Sequence, residues 1–523
     1  MTTPLIIGQD IELLRASAER LIAHLEQARS RALPVLVDVG PAQIEQAFAA
    51  HVPLSLADGL AYPPERLLAA IDETVRLSVH TASPRFFNQN FAGPDLTALA
   101  GDWIAAALNT TGATFEMAPV FSVMELHLLR RLAQLAGLPV ADAVVGEPPP
   151  RAGLMLAGGS LANLHALQLA RHRVAPQLRE QGAVAGPRFA VFTSAHAHYS
   201  IRKAAQLLGL GSRGVITVAV DGSGQMLPAG LERAIADARA AGLTPLAINA
   251  TAGTTVVGAF DPLEALAAIA RREDLWLHVD GCFGASLLFS AGHRWHLAGI
   301  ERVDSIAWNL HKFMGMPQQC SALLLRRPDA LRDCFAEQAD YLFQPDKPYA
   351  ALDSGDLGFS CARRIDVLKA WLSWKRHGDA GMAARIEIAV ANADDLRAKI
   401  ADQHDPRFVA AHPGGPCNVL FWWVPPELRP ELQPFDLRRA DARARARLHA
   451  LTAAIKAGLR ARGAVMLGFS PIDGGPNCFR MLFMNPEVES ADIDLVLAEI
   501  DAVGSGPWAR GSGPWAVGSG ESR

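Results

Sequence analysis

The sequence predicts an α/β protein built on a mostly parallel central sheet with helices on both faces, plus a smaller C-terminal α+β domain. Three observations carry that expectation. From about residue 95, short apolar runs alternate with segments of helical periodicity. The runs are apolar almost throughout, as strands buried on both faces must be. Beyond about residue 396 the alternation stops, and helices mix with strands such as VLFWWV and FRMLFM.

Taken in order, residues 10–30 set Ile11, Leu13, Leu14, Ala18, Leu21, Ile22 and Leu25 near helical spacing, which predicts an N-terminal helical arm. YPPERLLAAIDETVRLSV (62–79) predicts a second helix, with its prolines near the start, where a missing N–H is tolerated. Strands are expected at 189–193, 215–219, 245–250, 275–280, 304–308 and 321–326, with helices such as 228–241 and 261–273 between them. The chain thus divides into an N-terminal segment (1–94), a large domain (95–395), a small domain (396–503) and a tail (504–523). The tail carries GSGPWA twice and is too rich in Gly and Ser to bury a core, so disorder is expected there.

Composition narrows the function. Of 523 residues half are hydrophobic and 20% charged, with a net charge of -4, which argues against nucleic acid or an anionic membrane as the main partner. No apolar run approaches the roughly 18 residues of a membrane span. The start, MTTPLIIGQDIELL, lacks the basic and long apolar parts of a signal peptide. Six cysteines with no C-x-x-C pair read as reduced thiols, not as a disulfide framework or zinc site. A cytoplasmic protein without a metal is expected.

Only seven of the 49 basic residues are lysine, yet one of them, Lys312, sits among aromatic and thioether side chains in WNLHKFMG (308–315). It follows a strand, so its amine is expected at the carboxyl edge of the sheet, where such folds bind ligands. Asp280, in LHVDGCFG, ends another strand. A lysine that forms a Schiff base and an aspartate that pairs with a protonated pyridine nitrogen are the protein groups pyridoxal phosphate requires. A Lys312–Asp280 salt bridge is the plain alternative, and these two residues leave both open. Gly158, Gly159 and Ser160 follow a short strand and begin a helix, a setting that favours a phosphate but equally serves as a turn and cap. Asn309 is placed to donate its amide to the same phosphate. In FTSAHAHYSIRKAA (192–205), one of His196 and His198 is placed to stack on a ring, unless both are surface or capping residues.

Together these segments resemble the group II pyridoxal-phosphate-dependent decarboxylases of the aspartate-aminotransferase fold (fold type I), in the branch of glutamate and cysteine sulfinate decarboxylases. The resemblance is carried by PRFFNQ (84–89), AGGSLAN (157–163), FTSAHAHYSIRKAA (192–205), NATAGTTVVGAFDPL (249–263) and HVDGCFGAS (278–286). It continues through WNLHKFMGMPQQCSALL (308–324), YLFQPDKPY (341–349), RRIDVLKAWLSWKRHG (363–378) and FRMLFMNP (479–486), in family order over about residues 75–500.

The resemblance implies roles. Lys312 would be the Schiff-base lysine with His311 beside it, and its apolar setting would favour the neutral amine. Asp280 would hold the ring nitrogen protonated, His198 would stack on the ring, and Thr251 would lie near its substituents. Gly159, Ser160 and Asn309 would hold the phosphate. Arg480 would clamp the substrate α-carboxylate, and Gln89 would line the substrate pocket. Tyr341, on a mobile loop lent across the interface of a homodimer with shared active sites, would protonate Cα. The expected reaction is decarboxylation of an L-amino acid, foremost glutamate, aspartate or cysteine sulfinate.

Three departures fall in the pocket. Ser83-Pro84 stands where the family has His-Pro, and Thr111-Gly112-Ala113-Thr114-Phe115 stands where glutamate decarboxylases have Asn-Met-Phe-Thr-Tyr. Thr111 counts as a substrate contact there, and the loss of Met-Phe volume implies a wider pocket or one filled by another segment. Asp280-Gly281-Cys282-Phe283 replaces Asp-Ala-Ala-Trp, putting Cys282 either against the ring or merely in packing. These changes leave 2,4-diaminobutyrate and aromatic amino acids open as substrates. An aldehyde synthase or aminotransferase would share Lys312 and Asp280, although Tyr341 favours simple decarboxylation. A non-enzymatic homologue would show damage at Lys312, Asp280, His198 or Arg480, and none is damaged.

Overall fold

The computed structural model describes residues 4–57, 59–142, 144, 146–401, 407–429 and 441–506. These fall into two compact units, one drawn from Met1–Gly93, Asn392–Ala411 and Val419–Arg523, the other from Pro94–Ala391 and His412–Asn418.

The first unit opens with the expected arm, a helix over Pro4–Arg29 that begins before the periodic stretch and packs on a second helix, Pro64–Leu77. Pro63 caps the second helix and Pro64 is its first residue, as the proline positions required. A two-residue strand, β1 (Phe86–Phe87), follows.

The second unit holds the large sheet. Its strands are β2 (Gly153–Leu156), β3 (Phe189–Ser194), β4 (Val215–Val218), β5 (Thr244–Thr251), β6 (Trp276–Asp280), β7 (Ser305–Asn309) and β8 (Ser321–Leu325). They lie in the order β2-β8-β7-β6-β5-β3-β4. β4, β3, β5, β6 and β7 are parallel. β8 runs antiparallel to both β7 and β2, so β8 alone opposes the others. One face of the sheet, with Leu154, Leu156, Ala307 and Leu323, packs against Ala162, Ala166 and Ala170 of helix Gly159–Val174. Alternate residues Met155, Phe192, Ile248 and Ile306 turn to the other face and are buried too. Helices Pro228–Ala240 and Leu263–Glu273 pack on the sheet and on each other. Each such Leu, Ile or Phe contributes roughly 1.5–3 kcal/mol by leaving water, so burial on both faces explains the continuous apolar runs.

Thr251, Asp280 and Asn309 are the last residues of three adjacent co-directional strands, and the Gly158–Gly159 turn follows a fourth. Ser321 opens the opposed strand β8 opposite Asn309, at the same edge. Five strand ends therefore meet at one edge, four of them with polar residues and one with the glycine turn.

The smaller sheet adds β9 (Phe408–His412), β10 (Asn418–Trp423), β11 (Met466–Pro471) and β12 (Asn477–Leu482), in the order β1-β11-β12-β10-β9. Helix Ala442–Arg462 packs on β11 and β12; the Asp441 side chain accepts from Ala444 N at 2.7 Å, and Gly463, at φ 70°, ends it. The last helix, Ser490–Gly504, ends on the first glycine of the tail, and 507–523 lie outside the described residues.

Candidate active site

A cavity of about 240 Å³ opens at the carboxyl edge of the large sheet. Gly158, Gly159, Ser160, His198, Thr251, Asp280, Cys282, Asn309, His311 and Lys312 all line it, so ten expected residues meet there. Of the two candidate histidines, His198 lines the cavity. Ala157, Asn163, Gly253, Thr255, Phe283 and Gln319 complete the wall, and sequence reasoning gave none of them a role. Asn163 had a signal, one helical turn beyond Gly159 in a motif already singled out.

The phosphate-type cradle is built by the backbone. Gly158 adopts φ 99°, a conformation that side chains disfavour, and starts helix Gly159–Val174, whose first N–H groups have no partner inside the helix. A Cβ on Gly159 would lie 2.2 Å from Cys282 Sγ and 2.9 Å from the Asn309 amide, so only glycine leaves the space open. Asn309 Oδ1 accepts from Ser321 Oγ at 2.8 Å, which leaves the Nδ2 group as its donor toward an anion. His311 is buried with Nδ1 held 3.0 Å from the Cys320 backbone, and burial pushes it down to about 4, so it is neutral at pH 7.

Lys312 is half-buried and reaches the cavity, while Trp308, Phe313 and Met314 around it in sequence are buried. Among the described residues no contact within 4.0 Å joins it to Asp280 as an ion pair. Burial opposes charge on Asp280, but the Lys312 ammonium and hydrogen bonds from Cys282 and Asn163 outweigh it, and the carboxyl stays below its usual range. His198 is shifted down, by burial first and by Lys312 and Lys203, against the pull of Asp280. Burial and the Asp280 charge hold the Cys282 thiol protonated, far above its usual range.

This donor set fits pyridoxal phosphate. Thr251 Oγ1 is buried on the cavity wall with no hydrogen-bond partner among the described residues, a site that lacks a polar neighbour. The glycine cradle suits a phosphate, the ionised Asp280 suits a protonated ring nitrogen, and the flat neutral imidazole suits a ring face.

Tyr341 and Thr111, in the same unit, do not line this cavity. Tyr341 is 85% exposed and lies on a separate groove of about 500 Å³ with Phe335, Phe343 and Cys361. Thr111 Oγ1 accepts from Arg363 N at 3.1 Å and does not line the Lys312 cavity. Gly112 and Ala113 are covered by another segment: Arg363 O accepts from Gly112 N at 2.7 Å, and Ala113 O accepts from Ser354 N and Gly355 N. In the smaller unit, Gln89 is exposed, and Arg480 Nη2 donates to Asn88 O at 3.0 Å. Burial lowers Arg480 from its usual value.

A mostly parallel sheet whose carboxyl edge gathers a lysine, an ionised aspartate, a neutral histidine and a glycine-led helix start defines a fold-type-I pyridoxal-phosphate enzyme. The chain belongs to the pyridoxal-dependent decarboxylase family, whose conserved domain matches residues 57–424. It is 42% identical over 448 residues to cysteine sulfinic acid decarboxylase of Rattus norvegicus, covering 84% of this chain and 86% of that protein. The crystal structure of mouse CSAD superposes with a TM-score of 0.87 at 37% identity, over 96% of this chain and 99% of that one. The crystal structure of Oryza sativa TDC with PLP and tryptamine gives a TM-score of 0.82 at 25% identity, over 97% and 99%. The protein is therefore a pyridoxal-phosphate-dependent amino-acid decarboxylase.

Proposed function

We propose that the substrate is an acidic L-amino acid, cysteine sulfinate before glutamate or aspartate, converted to the corresponding amine and carbon dioxide. The observation that carries this reading is the 42% identity, over most of both chains, to a cysteine sulfinic acid decarboxylase. When bound, pyridoxal phosphate supplies the electron sink for the pair left at Cα as the carboxylate departs. Lys312 Nζ anchors it covalently, while Gly159, Ser160, Asn309 and His311 hold its phosphate end. Asp280, kept ionised, holds the proton on the ring nitrogen. His198, Thr251 and Cys282 bound the ring. We assign the substrate carboxylate to the Arg480 guanidinium, whose planar fork suits it, and give Gln89 and Thr111 to the substrate pocket. Tyr341 O–H delivers the proton to substrate Cα.

The exposure of Tyr341 accords with a homodimer in which each chain lends this residue to the other's site. Exposed apolar residues support that reading: Ile11, Leu14 and Ile22 on the N-terminal helix, and Ile104, Leu108, Met117 and Val120 in the large unit. We place the protein in the cytoplasm, supported by six cysteines of which none is in a disulfide. Among the described residues no helix is long and apolar enough to cross a membrane.

Carbon dioxide release by the cofactor-loaded protein across a panel of L-amino acids tests the assignment. Cysteine sulfinate, glutamate or aspartate is expected to give the highest kcat/KM. Turnover confined to 2,4-diaminobutyrate or aromatic substrates would overturn the acidic assignment. For Tyr341→Phe we expect kcat to fall at least about a hundredfold, as for loss of a general acid, with aldehyde, ammonia and hydrogen peroxide appearing among the products as dissolved dioxygen, taken up in equal amount, serves as the two-electron oxidant. Unchanged kcat would remove Tyr341 from the reaction.

A further inference from the structure

Asp280 and His198, both given tasks above, are joined by a chain of buried polar groups that has none, starting from Asn163 in the cavity wall. Asn163 Nδ2 lies 2.9 Å from Asp280 Oδ2 and 2.9 Å from Ser200 Oγ. Asn163 Oδ1 lies 2.9 Å from His278 Nε2, and His278 Nδ1 lies 2.9 Å from Ser305 Oγ. Ser305 Oγ also accepts from Trp276 Nε1 at 2.8 Å. At the other end, Ser200 Oγ lies 2.8 Å from His198 Nδ1. Asn163, His278 and Ser305 are completely buried.

The direction of every bond in this chain is determined. Asp280 is ionised and accepts only, so Asn163 must turn its NH₂ toward it and its Oδ1 toward His278. His278 must then donate from Nε2. Burial lowers its pKa to about 4, so at neutral pH it holds one proton, and Nδ1 is left as an acceptor for the Ser305 hydroxyl. The Trp276 N–H can only donate, and it satisfies the Ser305 oxygen. In the other direction, Asn163 gives its second proton to Ser200 Oγ, whose own O–H then points to His198 Nδ1. The Ser200 backbone N–H also donates to that nitrogen at 3.3 Å. Neutral His198 therefore carries its proton on Nε2.

We propose that Asn163 is a positioning residue that couples the two groups meant for the cofactor ring, fixing the Asp280 carboxylate and the His198 tautomer through one amide. This rests on the reading of Asp280 and His198 as ring contacts. A single orientation of the amide serves both groups, so neither can change protonation without disturbing the other.

Nitrogen NMR of histidine-labelled holoenzyme at neutral pH, assigned with His198→Gln and His278→Gln, tests the bond directions. Both residues are expected as the Nε2–H tautomer; an Nδ1–H form at either would overturn the proposal. The second measurement is cofactor binding by Asn163→Ala, followed by visible absorbance against pH. Asp280 loses a donor to its ionised form, so its acid limit must rise. The groups facing it are Lys312, His278 and Cys282, and those facing His198 are Asp280, Lys312 and Lys203. The dissociation constant is expected to rise about tenfold, and the acid limb of the absorbance profile to move up by about one pH unit, the effect of one charge-assisted hydrogen bond. A folded variant with both values unchanged would sink the proposal. Failure of the wild-type protein to bind the cofactor at all would instead strike the underlying reading of the site. If the variant does not fold, the tautomer measurement on wild-type protein still decides.

Discussion

At Gly159 the absence of a side chain is itself a functional feature. The helix geometry there is ordinary, so the reason for glycine is space: an added Cβ would meet a thiol at 2.2 Å and the Asn309 amide at 2.9 Å. Both neighbours are buried groups of the cavity wall, so making room for a Cβ displaces groups that line the space proposed for the cofactor. Gly159→Ala is therefore expected to weaken pyridoxal phosphate binding at least about tenfold, or about 1.4 kcal/mol, with little loss of apoprotein stability. Titration of the visible absorbance measures this, and an unchanged dissociation constant would show that the cradle relaxes. Much of the cavity lining was legible in the sequence, because Asp280 and Asn309 end strands and Lys312 and the glycine turn come within three residues of one. Asn163, Ser200 and His278 were not assigned. All three lie in motifs singled out above, but their importance lies in which polar atom each one meets across the fold, and the motifs do not record those pairings.

The segment after Cys361 shows how one stretch of chain can brace an element it does not belong to. Arg363 Nη2 reaches Glu125 Oε1 at 2.7 Å and Oε2 at 2.8 Å, and Met155 O at 2.9 Å, tying helix Pro119–Leu135 to β2. Six residues on, Lys369 is completely buried, with Asp102 and Asp366 each at 2.8 Å. Its ammonium also donates to Pro317 O at 3.3 Å and Gln319 O at 3.2 Å, on the loop that follows Lys312 and carries a cavity residue. Removing one partner of a buried ion pair strands the other. Lys369→Met is accordingly expected to destabilise the protein by about 3–5 kcal/mol, read as a lower midpoint in urea, and to weaken cofactor binding through Gln319. A midpoint within error of wild type would mean that the two aspartates find other partners. The strands of the large sheet were visible in the sequence because burial on both faces demands apolar runs. The direction of β8 was not, since composition does not record pairing. Nor was β1, whose two phenylalanines are too few to show a period.

Across the whole molecule, buried ionisable groups make stability depend on pH, and the sign can be worked out. His165, His278 and His311 are each pushed down to about 4, burial being the largest cause. Between about pH 4 and the usual histidine value near 6.5, the unfolded chain binds protons at these positions that the folded chain refuses. Stability from these groups is therefore complete above pH 6.5 and is lost as pH falls toward 4. Asp261 acts oppositely: burial raises it to about 6, so from the usual aspartate value near 3.8 up to 6 the folded chain holds a proton the unfolded one has released. Counting only the most deeply buried groups, three histidines against one aspartate leave a net uptake of about two protons on unfolding near pH 5, and the half-buried His296, also pushed down to about 4, adds to it in the same direction. At about 1.4 kcal/mol per proton per pH unit, stability should fall by roughly 3 kcal/mol for each unit of acidification in that range. All of these residues lie in the large unit, so the effect belongs to the body that carries the cofactor cavity. Urea midpoints of the apoprotein between pH 7 and about 4.5 measure it. A flat profile would require at least two of the histidines to become charged without unfolding. His278 is the decisive case, because a proton on its Nδ1 would deprive Ser305 of its acceptor and reverse the first bond of the chain that leads to Asp280.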